Sequence, residues 1–251
     1  MQEILEDLKH THRMRCDYHS AEKRLTLQIK SIARRMGAPK GNDGAKTYKA
    51  WFQQAMEKYT GFAPLVEPLE DSRASLEKSR MIQEKAMEKL AEQLPVWEWV
   101  KGVRGIGPLG LGQIVAECGD LNNYANPAKL WRMMGVGLFQ KGDGTWSRQR
   151  KLKGADGETA KYSPRRRSVM FCLEDTMVRA TGDYYELYLE RKEQERTKPA
   201  CLADIKDSEG KPKGKCKDPK GDYCKAGHIH NRARRYMGKR FLRDLWNAWR
   251  K

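Results

Sequence analysis

Two long stretches of helical periodicity most constrain what this chain can fold into. Residues 1–36 and 66–94 carry apolar side chains three and four positions apart with charged residues between them, which is the spacing of an amphipathic α-helix. The first series is Ile4, Leu8, Thr11, Tyr18, Leu25, Ile29, Ile32 and Met36, and the second is Leu69, Leu76, Met87, Leu90 and Leu94. Together they predict an antiparallel helical hairpin that resembles a coiled coil.

Turn-forming residues separate the two stretches and end them. Gly37–Gly44 and Gly61-Phe-Ala-Pro64 interrupt the periodicity, with a short helix expected between Tyr48 and Tyr59, and Pro95 closes the segment. Residues 1–94 are therefore predicted to form an arm. A helical pair of this length has a face on which a second copy can pack, so a homodimer is expected, with packing inside one chain as the alternative.

A glycine-rich turn follows the arm. Val103-Arg-Gly105-Ile-Gly107-Pro108 precedes a helix of small and apolar residues that runs to about Cys118. This order predicts a helix-hairpin-helix, in which Gly105 and Gly107 let the backbone approach a partner closely. The free N–H groups at the start of the second helix suit a DNA phosphate and read no base. A tight turn without a ligand is the alternative interpretation.

The rest of the pattern is also helical, so the fold class is predicted to be all-α. Ser163-Pro164 forms a typical helix start. The last helix, at about 229–250, has Ala233, Met237, Phe241, Leu245 and Trp249 on one face. A helix-hairpin-helix domain is expected over residues 95–251, with a polar, basic loop or small hairpin at 139–162. Residues 197–227, rich in Lys, Pro, Gly and Asp, are expected to be an insertion.

The excess positive charge lies in two segments. Residues 139–167 hold nine Lys or Arg against three Asp or Glu, and residues 191–251 hold nineteen against eight, which accounts for the whole formal net charge of +17. Such concentration is typical of a surface for nucleic acid. The alternative is a basic disordered loop and a solvated tail.

Particular cations follow from this distribution. Arginines in the first turn of a helix face an unfavourable dipole, so a phosphate partner is expected for Arg165, Arg166 and Arg167. The complete set of predicted nucleic-acid-binding residues is Arg104, Gly105, Gly107, Arg148, Arg150, Lys151, Lys153, Arg165, Arg166, Arg167, Arg232, Arg235 and Lys239. Double-stranded or branched DNA is the expected ligand, with RNA as a further alternative.

Cysteines and histidines cluster in the insertion and just after it. Cys216, Cys224, His228 and His230 supply four side chains of the types that bind tetrahedral zinc, with Cys201 as a substitute for one of them. A polar segment with little apolar content gains stability from such a metal. The spacing is not that of a standard C-x2-C finger, and free thiols in a loop are the alternative.

The order of these motifs resembles a known family from about Leu94 to the C-terminus. Gly105-Ile-Gly-Pro108, Glu117-Cys-Gly-Asp120, Tyr124, Lys129-Leu130 and Gly135 have the spacing of the C-terminal transposase domain of the IS-one-ten transposases, which are related to the Piv and MooV DNA invertases. Arg165–Arg167, Tyr185-Glu-Leu-Tyr188-Leu-Glu-Arg191 and the terminal Ala233-Arg-Arg series are similar to later parts of that domain. The arm resembles the coiled coil of the family.

The resemblance implies DNA recombination or transposition, and the departures from the family pattern shape the expected role. The RuvC-like nuclease half of the family, with its four acidic metal ligands, has no counterpart in this chain. Ser147 and Ser163 are the serines nearest to the position of the family's nucleophile. A DNA-binding protein without catalysis is therefore expected. The alternatives are a serine-dependent transposase that works with a nuclease subunit or guide RNA in trans, and a structural or regulatory protein with an acidic partner.

The N-terminus begins Met1-Gln-Glu-Ile-Leu-Glu-Asp and lacks the apolar run of a secretory signal. No apolar run approaches the roughly 20 residues of a membrane span. A cytoplasmic location with reduced thiols is expected.

Overall fold

The computed structural model describes residues 1–39, 45–140, 146–148, 163–198 and 224–251. The described residues form nine α-helices: α1 (Gln2–Arg35), α2 (Ala45–Lys58), α3 (Ala63–Glu92), α4 (Trp97–Val100), α5 (Pro108–Cys118), α6 (Pro127–Met133), α7 (Pro164–Ala180), α8 (Asp183–Arg196) and α9 (Ala226–Trp249). A 3-10 helix spans Leu121–Asn123. This helical architecture confirms the predicted fold class.

A two-stranded hairpin is the exception to the helical pattern. β1 (Leu138–Gln140) pairs antiparallel with β2 (Trp146–Arg148), and Phe139 lies opposite Ser147. These strands lie at the start of the segment at 139–162 that is predicted as a polar, basic loop or small hairpin. No helix in the described part of the chain has the length and apolarity needed to cross a membrane.

The chain divides into two compact units. One, here the arm unit, comprises His10–Glu88, and the other, here the core unit, comprises Met1–Lys9 and Lys89–Lys251. The first turns of α1 and the last turn of α3 therefore belong to the core unit.

The arm unit is a helical hairpin fastened by ion pairs. Arg15 Nε lies 2.9 Å from Glu84 Oε1, and Arg80 Nε lies 2.7 Å from Glu22 Oε1, so α1 and α3 run antiparallel. Arg80 also contacts Glu84 at 2.8 Å. These four charged residues are thus paired across the hairpin, and each keeps only 11–19% of its side chain exposed.

Aromatic side chains close the end of the arm unit. Phe62 is fully buried, and the rings of Trp51 and Phe52 meet it edge-on with centroids 5.6 and 5.4 Å away. Ile29 and Val66 pack into the same cluster. The short helix α2 contributes the two flanking rings, which explains why it folds beside the longer pair.

Helix α9 lies at the centre of the core unit and packs against α6, α7, α8 and the 3-10 helix. Ala233, Met237, Phe241 and Leu245 are buried, as their spacing predicts. Trp249 Nε1 donates to Asp120 Oδ1 at 2.9 Å, which ties the end of α9 to the segment after α5. Helices α5, α7 and α9 carry the residues of the candidate site.

Candidate nucleic-acid interface

The turn between α4 and α5 brings two predicted site glycines to very different surroundings. Gly105 has a φ of +89°, and a Cβ placed on it would lie 2.7 Å from the Met177 Cα and 3.0 Å from the Ala180 Cβ of α7. Gly107 has an extended backbone, is exposed, and has no heavy atom within 4 Å of such a Cβ. Gly105 therefore lets α7 approach the turn, whereas Gly107 faces open space.

Gly107 is the N-cap residue of helix α5, and no side chain caps this helix start. Pro108 occupies its first position, and its first turn contains no acidic residue. By contrast, Asn126 accepts a hydrogen bond from Lys129 N–H at the start of α6, and Ser163 accepts one from Arg166 N–H at the start of α7. The first N–H groups of an α-helix have no intrahelical acceptor, so the exposed start of α5 presents donors and a positive dipole end.

Two cations belong to the same turn. Lys101 and Arg104 are exposed, and Lys101 forms a surface ion pair with Glu98. Arg104 forms no ion pair with a described residue. Its Cβ lies 2.6 Å from the position that a Cβ would take if one were added to Gly182, the residue before α8. The Cβ, Cγ and Cδ of Arg104 therefore pack against Gly182.

The arginines at the start of α7 have an internal partner. Glu117 of α5, whose side chain is completely buried, accepts from Arg165 Nη2 at 3.2 Å and from Arg166 Nε at 3.3 Å. Its carboxylate offsets the unfavourable position of the two cations at the helix start. Arg165 nevertheless keeps 59% of its side chain exposed. Arg167 Nη1 is 3.5 Å from the Gly135 carbonyl oxygen.

The predicted cations of α9 are also engaged within the core unit. Arg232 Nη1 donates to Glu195 Oε2 of α8 at 2.8 Å. The Lys239 ammonium lies 5.5 Å from the centroid of the Trp131 ring, and burial lowers the pKa of this lysine. Arg235 lines a cavity between α7 and α9. The polar face of α9 is thus covered by neighbouring helices along much of its length.

The remaining predicted residues of the basic loop are only partly described. Ser147 and Arg148 lie in β2, with Arg148 opposite Leu138 in the register. Arg150, Lys151 and Lys153 lie outside the described residues. The Ser163 hydroxyl caps α7, which confirms the helix start expected there.

Three of the five predicted zinc ligands, Cys224, His228 and His230, lie in the described residues, so the zinc site stays a prediction. His230 Nδ1 is 2.8 Å from the Tyr188 hydroxyl, whereas His228 lines the cavity between α7 and α9. Residues two apart on a helix do not face each other. Cys224 is buried, and Cys201 and Cys216 lie outside the described residues. In the described ranges no three His, Cys, Asp or Glu side chains are close enough to hold a metal.

Sequence reasoning missed the polar cluster at the centre of the core unit. Glu174 of α7 and Arg234 of α9 are both buried, with Glu174 Oε2 3.5 Å from Arg234 Nε. Gly238 lies directly against the Glu174 carboxylate. A glycine inside a predicted helix is the sequence signal that indicates such a close approach.

Comparisons with protein-family models, with curated proteins and with solved structures gave no significant match. The resemblance to the IS-one-ten transposases therefore stays a prediction from the quoted motifs.

Proposed function

We propose that this protein is a nucleic-acid-binding protein whose ligand is DNA. It contacts the phosphate backbone of the DNA and acts in DNA recombination or mobile-element biology. The exposed, uncapped start of α5 at Gly107 carries the proposal. Lys101 and Arg104 flank it, and the formal net charge is +17. Together they suit a polyanion that is held without base readout, because backbone N–H groups and cations bind phosphate regardless of sequence.

Substitution of Gly107 tests this proposal without disturbing the fold. Its extended φ of −91° suits any residue, and a side chain there meets no protein atom within 4 Å. Aspartate and asparagine both cap helices well, so Gly107→Asp and Gly107→Asn should each change the free energy of unfolding by less than about 1 kcal/mol. Only the aspartate places a negative charge where the phosphate would lie.

We expect Gly107→Asp to weaken duplex binding by about tenfold or more, because it repels phosphate and occupies the helix donors. Gly107→Asn is the matched neutral control and should lose less. Fluorescence anisotropy across a salt series, with duplex, branched DNA and structured RNA, measures both. The wild-type log K should fall by about 0.9 per phosphate neutralised for each tenfold rise in salt. Equal affinity of wild type and Gly107→Asp for all three ligands, or salt-independent binding, would remove the support for the proposal.

We also propose that the protein is a homodimer through its arm. Four apolar side chains of the arm unit are 48–64% exposed: Leu27, Leu65, Met81 and Ile82. A second copy that packs on these side chains would remove their apolar surface from water, which favours association.

Ile82→Glu is expected to shift the protein toward the monomer, with a loss of dimer affinity of about tenfold or more, because a charge replaces an apolar side chain that the second copy would cover. Sedimentation equilibrium measures the change. Ser72→Glu adds the same charge to an exposed polar position of α3 and should leave the assembly unchanged. A wild-type monomer at all concentrations would contradict the dimer.

A further inference from the structure

Two aromatic–arginine pairs lie on the C-terminal half of helix α9, in the core unit. In each pair the aromatic residue comes four residues before the arginine: Tyr236 precedes Arg240, and Trp246 precedes Arg250. Residues four apart on a helix are neighbours on its surface. The opposite face of this part of α9 is buried through Met237, Phe241, Leu242 and Leu245. Both pairs therefore lie on the side of α9 that points away from the core.

The Trp246–Arg250 pair is held in place by backbone carbonyl groups. The Arg250 Cζ lies 4.1 Å from the centroid of the Trp246 ring, and Arg250 is exposed. Its Nη2 donates to the carbonyl oxygens of Asn122 at 3.0 Å and Tyr124 at 2.9 Å. The Trp246 Nε1 donates to the same Tyr124 oxygen at 2.9 Å. The ring and the guanidinium are thus both positioned by the segment that follows α5.

The Tyr236–Arg240 pair is built on one tyrosine hydroxyl. The Nε and Nη2 of Arg240 donate to the Tyr236 hydroxyl at 3.0 and 2.6 Å, and the Arg240 Cζ lies 4.9 Å from the centroid of that ring. The Cζ of Arg191, from α8, lies 5.0 Å from the same centroid. Tyr236 therefore orders two guanidinium groups at the surface of α8 and α9.

The arginines of the two pairs have neutral partners. Within the described ranges, Arg240 bonds a hydroxyl and Arg250 bonds two carbonyl groups, and neither forms an ion pair with a carboxylate. By contrast, Arg243 lies 2.8 Å from Asp244 Oδ1. The carboxylates of this part of the core unit thus leave the charges of Arg240 and Arg250 uncompensated, and the surface suits a negatively charged ligand.

The spacing of the pairs favours a polymer over a small molecule. Tyr236 and Trp246 are ten residues apart, which is about 15 Å along an α-helix. Ten residues make about 2.8 turns, so the second pair is rotated by about 80° around the axis of α9. A ligand that contacts both pairs must therefore repeat its flat and charged groups along its length.

Building on the nucleic-acid binding proposed above, we propose that this surface binds unpaired nucleotides of the DNA, whose bases stack on the guanidinium planes of Arg240 and Arg250. Arginine planes and aromatic rings are the groups on which proteins stack unpaired bases. In an intact duplex the faces of a base are covered by its neighbours. The surface should therefore favour single strands, strand ends and junctions. Stacking is tolerant of sequence, because every base has a π-face.

The test measures the binding of the full-length protein to three fluorescein-labelled probes by anisotropy. They are an oligothymidylate, an abasic oligomer of the same length, and a duplex. The abasic oligomer has the same phosphates and no bases, so its comparison with oligothymidylate isolates the contribution of the bases. We expect oligothymidylate to bind about tenfold or more tightly than the abasic oligomer. The preference should persist as salt rises, because salt screens phosphate contacts and not stacking.

Lysine substitutions assign the preference to the two pairs. The double variant Arg240→Lys/Arg250→Lys keeps both charges and removes both planar groups. It should lose about tenfold of its affinity for oligothymidylate and keep its affinity for the abasic oligomer. The matched control, Arg179→Lys/Arg196→Lys, makes the same change at two exposed arginines of α7 and α8 and should keep both affinities. Circular dichroism confirms that each variant is folded.

Equal affinity of the wild type for oligothymidylate and the abasic oligomer would overturn the stacking proposal, as would an equal loss in the two double variants. Polyglutamate that displaces oligothymidylate as effectively as unlabelled oligothymidylate would also overturn it, because the surface would then select charge alone. Gly107→Asp should weaken duplex binding and keep the preference for bases. Duplex binding without that preference contradicts only the stacking proposal, whereas no binding of any probe contradicts both proposals.

Discussion

Replacing Gly105 with alanine is expected to lower the free energy of unfolding by about 2–5 kcal/mol, because backbone strain and a steric clash act together. The φ of +89° is unfavourable for a residue with a Cβ. The new methyl would also lie 2.7 Å from the Met177 Cα and 3.0 Å from the Met177 nitrogen. Because these are backbone atoms of α7, the helix itself would have to move away from the turn.

Urea denaturation of wild type and variant measures this effect, and Gly119→Ala separates its two causes. Gly119 also has a positive φ, +72°, but no heavy atom lies within 4 Å of a Cβ built on it. It should lose only the strain contribution, about 1–3 kcal/mol. If the two alanine variants lose the same stability, then α7 does not pack tightly against Gly105, and that part of the turn is open to a ligand.

This contrast shows where sequence reasoning about the turn reaches its limit. Gly105 and Gly107 are equivalent in the Gly-Ile-Gly-Pro motif, and the motif alone assigns both to phosphate. Their surroundings differ because α7, some 70 residues later in the chain, packs against one and not the other. Only the tertiary arrangement supplies this information. Local signals were more informative: Ser163 and Pro164 predict the start of α7 through contacts within a single turn.

The positively charged residues of α9 also show that a local sequence pattern does not reveal tertiary partners. The spacing of apolar residues predicts the buried face of α9, including Met237 and Phe241, because that face repeats within the helix. The same pattern assigns Arg232 and Lys239 to solvent or nucleic acid. In the fold, however, α8 supplies Glu195 to the first and α6 supplies Trp131 to the second. A single-helix pattern cannot contain such partners, since they come from elements 37 and 108 residues away.

Replacing Glu117 with glutamine is expected to destabilise the protein by about 1–3 kcal/mol, because the hydrogen bonds that Arg165 and Arg166 donate to this fully buried carboxylate lose their ionic acceptor. Glu117 is the carboxylate shared by Arg165 and Arg166 at the start of α7, where the helix dipole already opposes positive charge. Glutamine preserves the shape of the side chain, so the loss reports charge and not a cavity. Urea denaturation of the variant gives the value.

Glu193→Gln is the matched control, since Glu193 pairs with Arg196 at 2.9 Å on an exposed surface of α8 and its replacement should cost less than about 1 kcal/mol.

The Glu117→Gln variant also separates the structural role of Arg165 and Arg166 from their role in nucleic-acid binding. If Glu117 is their main partner, Glu117→Gln releases Arg165, and nucleic-acid binding should strengthen and become more salt-dependent while stability falls. A Glu117→Gln variant as stable as Glu193→Gln would contradict this assignment and leave an external phosphate as the counter-charge of the α7 arginines.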